Sequence, residues 1–305
     1  MNEEAVALLT TALSSLVDAA QVFPSIIKAD LHACILHIFA TILATGACQP
    51  TVIPQALPIF KRFITSLAPH AEATDDTSKQ LRATLSRFLV ILRHAQQRAF
   101  DAALACEKNT ILATTILLSS AASAFSPNDP LVKQFVDDIF DCLGTPTTSK
   151  VATGCIRSLF LLPKKSALET SLAKLILPPT LSFLANPSDK EGIDESRSTL
   201  ASTLVAFMST LQEPKQRLVA AKMVIPALLT RAQNEPAAVQ ETAGRLLEIA
   251  GKDQDAFRAV VTGMDTEQKG RLEAVLKSGQ GGKRQEVSRE DDGMPKIALK
   301  MDFGS

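Results

Sequence analysis

The segment from Val224 to Ala250 carries the pattern that most restricts what this chain can fold into. Apolar residues in its second half are spaced four, three, one and three apart, the period of one face of an α-helix. They are Val239, Ala243, Leu246, Leu247 and Ala250. Pro236 stands where a helix begins, because its missing N–H would have no partner there. The segment therefore predicts two helices joined by a polar turn, each with an apolar face that needs a cover.

Further helix pairs of this kind are predicted to begin near residues 3, 50, 100, 130, 166, 216 and 254. One of them is expected between residues 100 and 124, with its turn at Glu107–Asn109. The mean spacing of about 42 residues lies within the ~40–47 residues of HEAT and armadillo units. The Val224–Ala250 pattern itself resembles a HEAT repeat. We predict an all-α, HEAT/armadillo-like α-solenoid of about seven helical hairpins over residues 1–278, followed by an irregular C-terminal tail.

The composition changes after Ser278, where glycine and charged residues predict a flexible linker within the range 279–305. Four apolar residues then alternate with Ala298, Lys300 and Asp302, a period of two that suits an extended peptide lying on a surface. These four are Ile297, Leu299, Met301 and Phe303. Three interpretations stay open: capture by a partner protein, docking on this chain's own solenoid, or disorder.

Composition argues against several classes of partner. The chain has 305 residues, with 32 basic and 32 acidic side chains and neither Trp nor Tyr. This balance predicts no general attraction to nucleic acid or anionic lipid. We also expect no transmembrane segment. The five cysteines are odd in number and never form C-x-x-C, which predicts a reduced, cytosolic protein with buried thiols.

No catalytic, metal-binding or cofactor-binding constellation is recognisable in the sequence. His32 and His37 would point ~140° apart on one helix, too far for a shared metal. Asp137, Asp138 and Asp141 are expected on the wet face of a helix. The arginines of the helix predicted from about Gln80 to Ala99 point in several directions, so we predict a solvated face and no phosphate site. They are Arg82, Arg87, Arg93 and Arg98.

Three segments carry a narrower resemblance: ILHIFATILATGACQ (35–49), VIPQALPIFKRFI (52–64) and PKIALKMDF (295–303). They resemble the C-terminal region of the large HEAT-repeat accessory proteins of the type-1 clathrin adaptor. The resemblance implies a non-enzymatic, cytoplasmic scaffold, peripheral at trans-Golgi and endosomal membranes, whose partners are adaptor subunits or co-accessory proteins. It also implies that more repeats precede Met1, which agrees with the broad apolar surface of the first helix.

Two other functions remain as alternatives. A transport-receptor-like solenoid that binds cargo protein or peptide would need a row of acidic or Asn residues on successive second helices, where Asn is sparse. An all-helical enzyme would need a nucleotide or metal site, and none is visible in the sequence.

Overall fold

A computed structural model describes residues 2–22, 25–68, 76–98, 100–162, 167–186 and 192–286, without the side chains of 25–28, 167 and 280–286. Within these ranges the chain forms thirteen α-helices and no strand. The helices are α1 (Glu3–Val22), α2 (Ser25–Ala44), α3 (Ile53–Leu67), α4 (Asp76–Gln96), α5 (Ala103–Ser120), α6 (Pro130–Leu143), α7 (Pro146–Phe160), α8 (Ala167–Ala185), α9 (Asp194–Thr210), α10 (Pro214–Asn234), α11 (Val239–Lys252), α12 (Gln254–Gly263) and α13 (Thr266–Glu286).

The helices are arranged in two layers. Each helix packs against the helix two places further along the chain, from α1 on α3 to α11 on α13. Odd-numbered helices therefore form one layer and even-numbered helices the other. Buried apolar side chains form one cluster that extends from Val6 in α1 to Val275 in α13. Because each element contacts only near neighbours in the sequence, the array has the organisation of a helical-repeat solenoid, and the predicted fold class is confirmed.

One predicted hairpin is a single helix. The segment from Ala103 to Ser120 is α5 throughout, so the turn predicted at Glu107–Asn109 is wrong. That tripeptide contains no Gly or Pro, and its polar side chains bind neighbouring elements. Glu107 accepts a hydrogen bond from the Cys142 thiol (3.3 Å), and Asn109 donates one to Gln49 (2.9 Å). The described helices thus amount to six pairs and one additional helix.

The turn that precedes α5 uses left-handed backbone at two non-glycine residues. Arg98 has a φ of 52° and Ala102 a φ of 61°. Such conformations are uncommon for residues with a side chain, and the surrounding structure has to hold them. The turn between α4 and α5 therefore adopts left-handed backbone without a glycine, so the sequence carries no glycine signal for it.

The α11 face is rotated from its predicted position. Thr242, Ala243, Leu246 and Ile249 are buried, whereas Leu247, which the periodicity assigns to the apolar face, is 43% exposed. The shift of the buried face towards Thr242 and Ile249 places Ala243 against α13. A Cβ atom at Gly279 of α13 would overlap the Cβ of Ala243, so the two helices approach at these small residues.

The last helix is longer than expected. The sequence predicts that the solenoid ends at residue 278, but α13 continues to Glu286, and Gly279 is part of a close helix contact. The glycine there permits close packing, whereas the sequence pattern predicts a flexible linker. The rest of the predicted tail, residues 287–305, lies outside the described residues.

Helix α1 is long and apolar enough to cross a bilayer, judged by length and composition alone. Among the described residues it is the one helix that meets this test. The expectation from the sequence is that no transmembrane segment is present. In the structure α1 packs on α2 and α3 with Val6, Leu13 and Val17 buried. Its Asp18 pairs with Arg62 of α3 at 3.0 Å, and Leu8 is 73% exposed.

Two aspartates that cap helices also join helices of the same layer. Asp129 caps α6 through the N–H of Leu131, and its carboxylate lies 2.6 Å from Arg82 Nε of α4. Asp253 caps α12 through the N–H of Ala256, and lies 2.6 Å from Arg217 Nε of α10. Each aspartate thus satisfies an otherwise unpaired helical N–H and also neutralises a neighbouring arginine.

The contacts of Asp253 with the Ala256 N–H and Arg217 should make the stability of the protein depend on pH. The hydrogen bond from the Ala256 N–H and the adjacent Arg217 hold the pKa of Asp253 below its ordinary value. A lowered folded-state pKa contributes stability that is present above the unfolded value of ~3.9 and is lost as pH falls through the folded value. Asp253→Asn keeps a capping oxygen and removes the charge. Urea unfolding should therefore show a smaller loss of stability between neutral pH and about pH 3 for Asp253→Asn than for the wild type.

Asp253→Ala separates the two effects, because it also removes the cap. It should cost about 1 kcal/mol more than Asp253→Asn at neutral pH. Identical acid profiles for the wild type and Asp253→Asn would show that the charge contributes nothing.

Candidate protein-binding groove

The four apolar residues predicted to make a contact, Ile297, Leu299, Met301 and Phe303, all lie outside the described residues. The described array nevertheless offers a place where an apolar peptide could bind. A groove of about 840 Å³ opens between α8 and α10, with the ends of α7 and α9 completing it. This volume lies in the range of pockets that bury several side chains of a ligand.

The groove is apolar at its base and partly polar at its rim. Buried Ala173, Phe207, Leu211 and Ala220 form the base. Leu161, Leu162 and Leu177 are half-buried along the walls, and Val219 of α10 is 59% exposed. The rim carries Lys174, Gln212, Glu213, Lys215 and Gln216. An apolar base within a polar rim is the usual anatomy of a protein-binding surface.

Both long walls contain prolines inside helices: Pro178 and Pro179 in α8, and Pro226 in α10. A proline removes the N–H that would bind the carbonyl four residues earlier, and its ring crowds that carbonyl. Helices typically bend at such positions. Since Pro178 follows Lys174 by four residues, the Lys174 carbonyl lacks its helical donor.

The charge of the rim is weakly basic. Lys174 and Lys215 are both exposed, and within the described residues neither forms an ion pair with an acidic side chain. Glu213 is the acidic side chain of the lining. An occupant with acidic residues next to an apolar stretch would therefore match the rim better than a basic one.

A second cavity of about 480 Å³ lies beyond Leu211, which lines both spaces. Its lining includes Val205, Met208 and Ile249, and the Arg217–Asp253 pair closes one side. Arg217 also donates hydrogen bonds to the carbonyls of Leu211 (3.2 Å) and Gln212 (2.9 Å). The turn between α9 and α10 that borders the main groove is thus held in place by a charged side chain.

Two buried arginines lie near the C-terminal end of α10, away from the groove. Arg197 of α9 and Arg231 of α10 are 1% and 3% exposed, and both pair with Glu235. Arg197 also donates to the carbonyl of Phe183 (2.9 Å), and its guanidinium lies 5.4 Å from the centre of the Phe183 ring.

Glu241 of α11 completes this buried cluster. Its carboxylate pairs with Arg231 at 3.0 Å and accepts a hydrogen bond from Ser198 at 2.7 Å. Burial, and then the charge of Arg231, lower the pKa of Arg197. Two buried arginines thus face two glutamates, and the cluster joins α8, α9, α10 and α11. The cluster holds these four helices together through ion pairs and hydrogen bonds.

Groups that could support chemistry are dispersed. No group of three or more His, Cys, Asp or Glu residues among the described part of the chain could hold a metal. His32 is buried against Phe63, and His37 lies 3.0 Å from Arg87. Burial raises the pKa of Asp138. The exposed positions of Arg82, Arg87, Arg93 and Arg98 confirm the predicted solvated face.

Four of the five thiols are buried. Cys48, Cys106, Cys142 and Cys155 are buried and free, and Cys34 is exposed. Burial raises the pKa of Cys142 to about 12 and that of Cys155 to about 11. Since the thiolate is the reactive form, these two thiols are poor nucleophiles at neutral pH.

Sequence reasoning did not find the groove. Its lining residues come from four helices, and their sequence pattern is that of ordinary buried faces. The prolines at 178, 179 and 226 were the available signal, because three interior prolines in two neighbouring helices of one layer indicate irregular packing.

Comparison with known proteins identifies the repeats. A family model described as "LAA1-like, C-terminal TPR repeats" matches residues 128–289. The chain belongs to this family. The LAA1-like match includes all residues that line the groove and the buried arginine cluster. It supports a helical-repeat scaffold related to adaptor accessory proteins.

The LAA1-like repeats of this chain are longer than a typical TPR unit. Helices α6, α8, α10 and α12 begin at 130, 167, 214 and 254, wider apart than the ~34 residues of a TPR and near the ~40–47 of HEAT and armadillo units.

No curated protein matches the chain. A solved structure titled "Computational Design of Self-Assembling Cyclic Protein Homooligomers" matches with 14% identity, covering 95% of this chain and 100% of that chain, at a TM-score of 0.18. At that score the two chains do not superpose as wholes.

Proposed function

We propose that this chain is a non-enzymatic protein-binding scaffold, the C-terminal part of a clathrin-adaptor accessory protein, and that partners bind in the groove between α8 and α10. The observation that carries the proposal is the position of the groove, which lies wholly inside the residues matched by the LAA1-like family. Stacked helical repeats typically function by presenting a long surface to other proteins.

The partners we infer are subunits of the type-1 clathrin adaptor or its co-accessory proteins. The proposed place of action is the cytoplasmic side of trans-Golgi and endosomal membranes, reached through the adaptor and without direct insertion into lipid. An apolar groove with an exposed valine and two lysines at its edge suits a short protein segment as ligand. The chain has equal numbers of basic and acidic side chains, which argues against nucleic acid as a partner.

A binding measurement with a matched pair of variants tests this proposal. Val219 lines the groove and is 59% exposed, while Val90 of α4 lies outside it and is 64% exposed. Both can be changed to Asp with little effect on folding, because neither side chain is in the core. We expect purified type-1 adaptor to bind the wild-type chain and Val90→Asp equally, and to bind Val219→Asp at least ~10-fold more weakly.

The proposal fails if purified adaptor and its co-accessory subunits show no saturable binding to the wild-type chain. It also fails in its choice of surface if Val219→Asp and Val90→Asp bind equally well. Circular dichroism of both variants establishes that any difference in binding is not a difference in folding.

A further inference from the structure

We propose that the groove between α8 and α10 is occupied by this chain's own C-terminal peptide, with Ile297, Leu299, Met301 and Phe303 facing its apolar base. The inference rests on the proposed function only in using the same groove. Its consequence is that a partner and the tail would bind the same surface.

The sequence of the tail fits the chemistry of the groove. Apolar side chains at every second position place four such groups on one side of an extended peptide. The groove offers a base of Ala173, Phe207, Leu211 and Ala220, and its volume of about 840 Å³ suits several such side chains.

The acidic charge of the tail lies before its apolar stretch. Glu290, Asp291 and Asp292 precede that stretch, whereas Lys296 and Lys300 stand next to it and within it. The groove rim carries Lys174 and Lys215, neither of which pairs with an acidic side chain of the described chain. Charge complementarity with this rim therefore requires that the docked tail place its acidic run beside these two lysines. A tethered peptide also has a high effective concentration at its own groove, typically in the millimolar range for a short flexible connection.

The chain is long enough to reach the groove. Gly279 of α13 packs on Ala243 of α11, close to Glu241, which pairs with Arg231 of α10. From Arg231 the groove residue Val219 lies about 18 Å along α10, at 1.5 Å per residue. The eleven residue steps from Glu286 to Ile297 can span up to about 36 Å if extended, at ~3.3 Å per residue. This reach exceeds the distance of about 18 Å from Arg231 to Val219 along α10, so the length of the connection permits intramolecular docking.

Site-specific photo-crosslinking in the full chain tests this proposal without a partner. The photoreactive residue p-benzoylphenylalanine is introduced at Phe303, on the apolar side of the peptide, or at Asp302, on the opposite side, as a matched control. We expect irradiation to link position 303 to peptides that contain Leu177 or Val219, within the monomer, with several-fold higher yield than position 302. Val219→Asp should reduce this link, and Val90→Asp should not.

Each other result overturns the proposal. Crosslinks from position 303 that map outside α7–α10, or no crosslinks, would mean that the tail does not occupy the groove. A covalent dimer would mean that the tail binds a second copy of the chain. Equal yields at 302 and 303 would mean that no particular face of the peptide is docked. Since no adaptor is present, a negative result leaves the adaptor-binding measurement to be judged separately.

Discussion

Replacement of Glu235 by Ala is expected to lower the free energy of unfolding by about 3–5 kcal/mol. Glu235 pairs with Arg197 and Arg231, whose side chains are almost completely buried. Arg231 keeps Glu241 as an ion-pair partner, whereas Arg197 keeps the carbonyl and ring of Phe183 and the more distant charge of Asp194. The cost arises because a buried cation loses its counter-charge in a place that water does not reach. Urea unfolding at neutral pH measures it.

Two further variants separate this effect from ordinary loss of contacts. Arg197→Met combined with Glu235→Ala should be more stable than Glu235→Ala alone, because it removes the uncompensated charge and leaves an apolar side chain in its place. Glu195→Ala removes a partner of Lys150 from a pair whose side chains are 74% and 83% exposed, and should leave stability nearly unchanged. If Arg197→Met destabilises the Glu235→Ala protein further, unpaired charge is not the cause.

The contrast between α3 and the arginine cluster shows what the sequence could predict. The buried side chains of α3, including Phe60 and Phe63, follow helical periodicity, because an apolar face of one helix is a local property. The buried positions of Arg197 and Arg231 were not predicted. An arginine is normally exposed, and nothing near it in the sequence identifies a glutamate on another helix as its partner.

The same reasoning explains the errors at α5 and α13. A polar tripeptide was interpreted as a turn, although its side chains contact neighbouring helices in space. Gly279 was interpreted as part of a linker, although α13 needs a small residue against Ala243. In both places the deciding contact comes from a residue distant in the sequence. The groove could not be predicted for the same reason, because its existence depends on the distance between α8 and α10 and not on the composition of either helix.

Replacement of Phe60 by Ala is expected to cost about 3–5 kcal/mol, through lost apolar burial and the cavity that remains. Phe60 of α3 is 1% exposed. Its ring lies 4.8 Å from that of Phe39 in α2 and 5.7 Å from that of Phe88 in α4, measured between ring centres. One side chain thus connects three consecutive helices. Phe60→Leu retains most of the apolar volume and should cost less than half as much.

Hydrogen exchange of the intact chain can show where the lost stability is felt. In a stack of repeats, stability is the sum of local terms and contacts between neighbours, so a defect weakens its own region most. Phe60→Ala should increase amide exchange in α2, α3 and α4 and leave α8–α11 protected, whereas Glu235→Ala should do the reverse. If both variants increase exchange equally along the whole array, the thirteen helices unfold as one cooperative unit. In that case binding in the groove would be coupled to the stability of α1–α4, and changes there would alter partner affinity. With local unfolding, the groove and its ligand are independent of the first repeats.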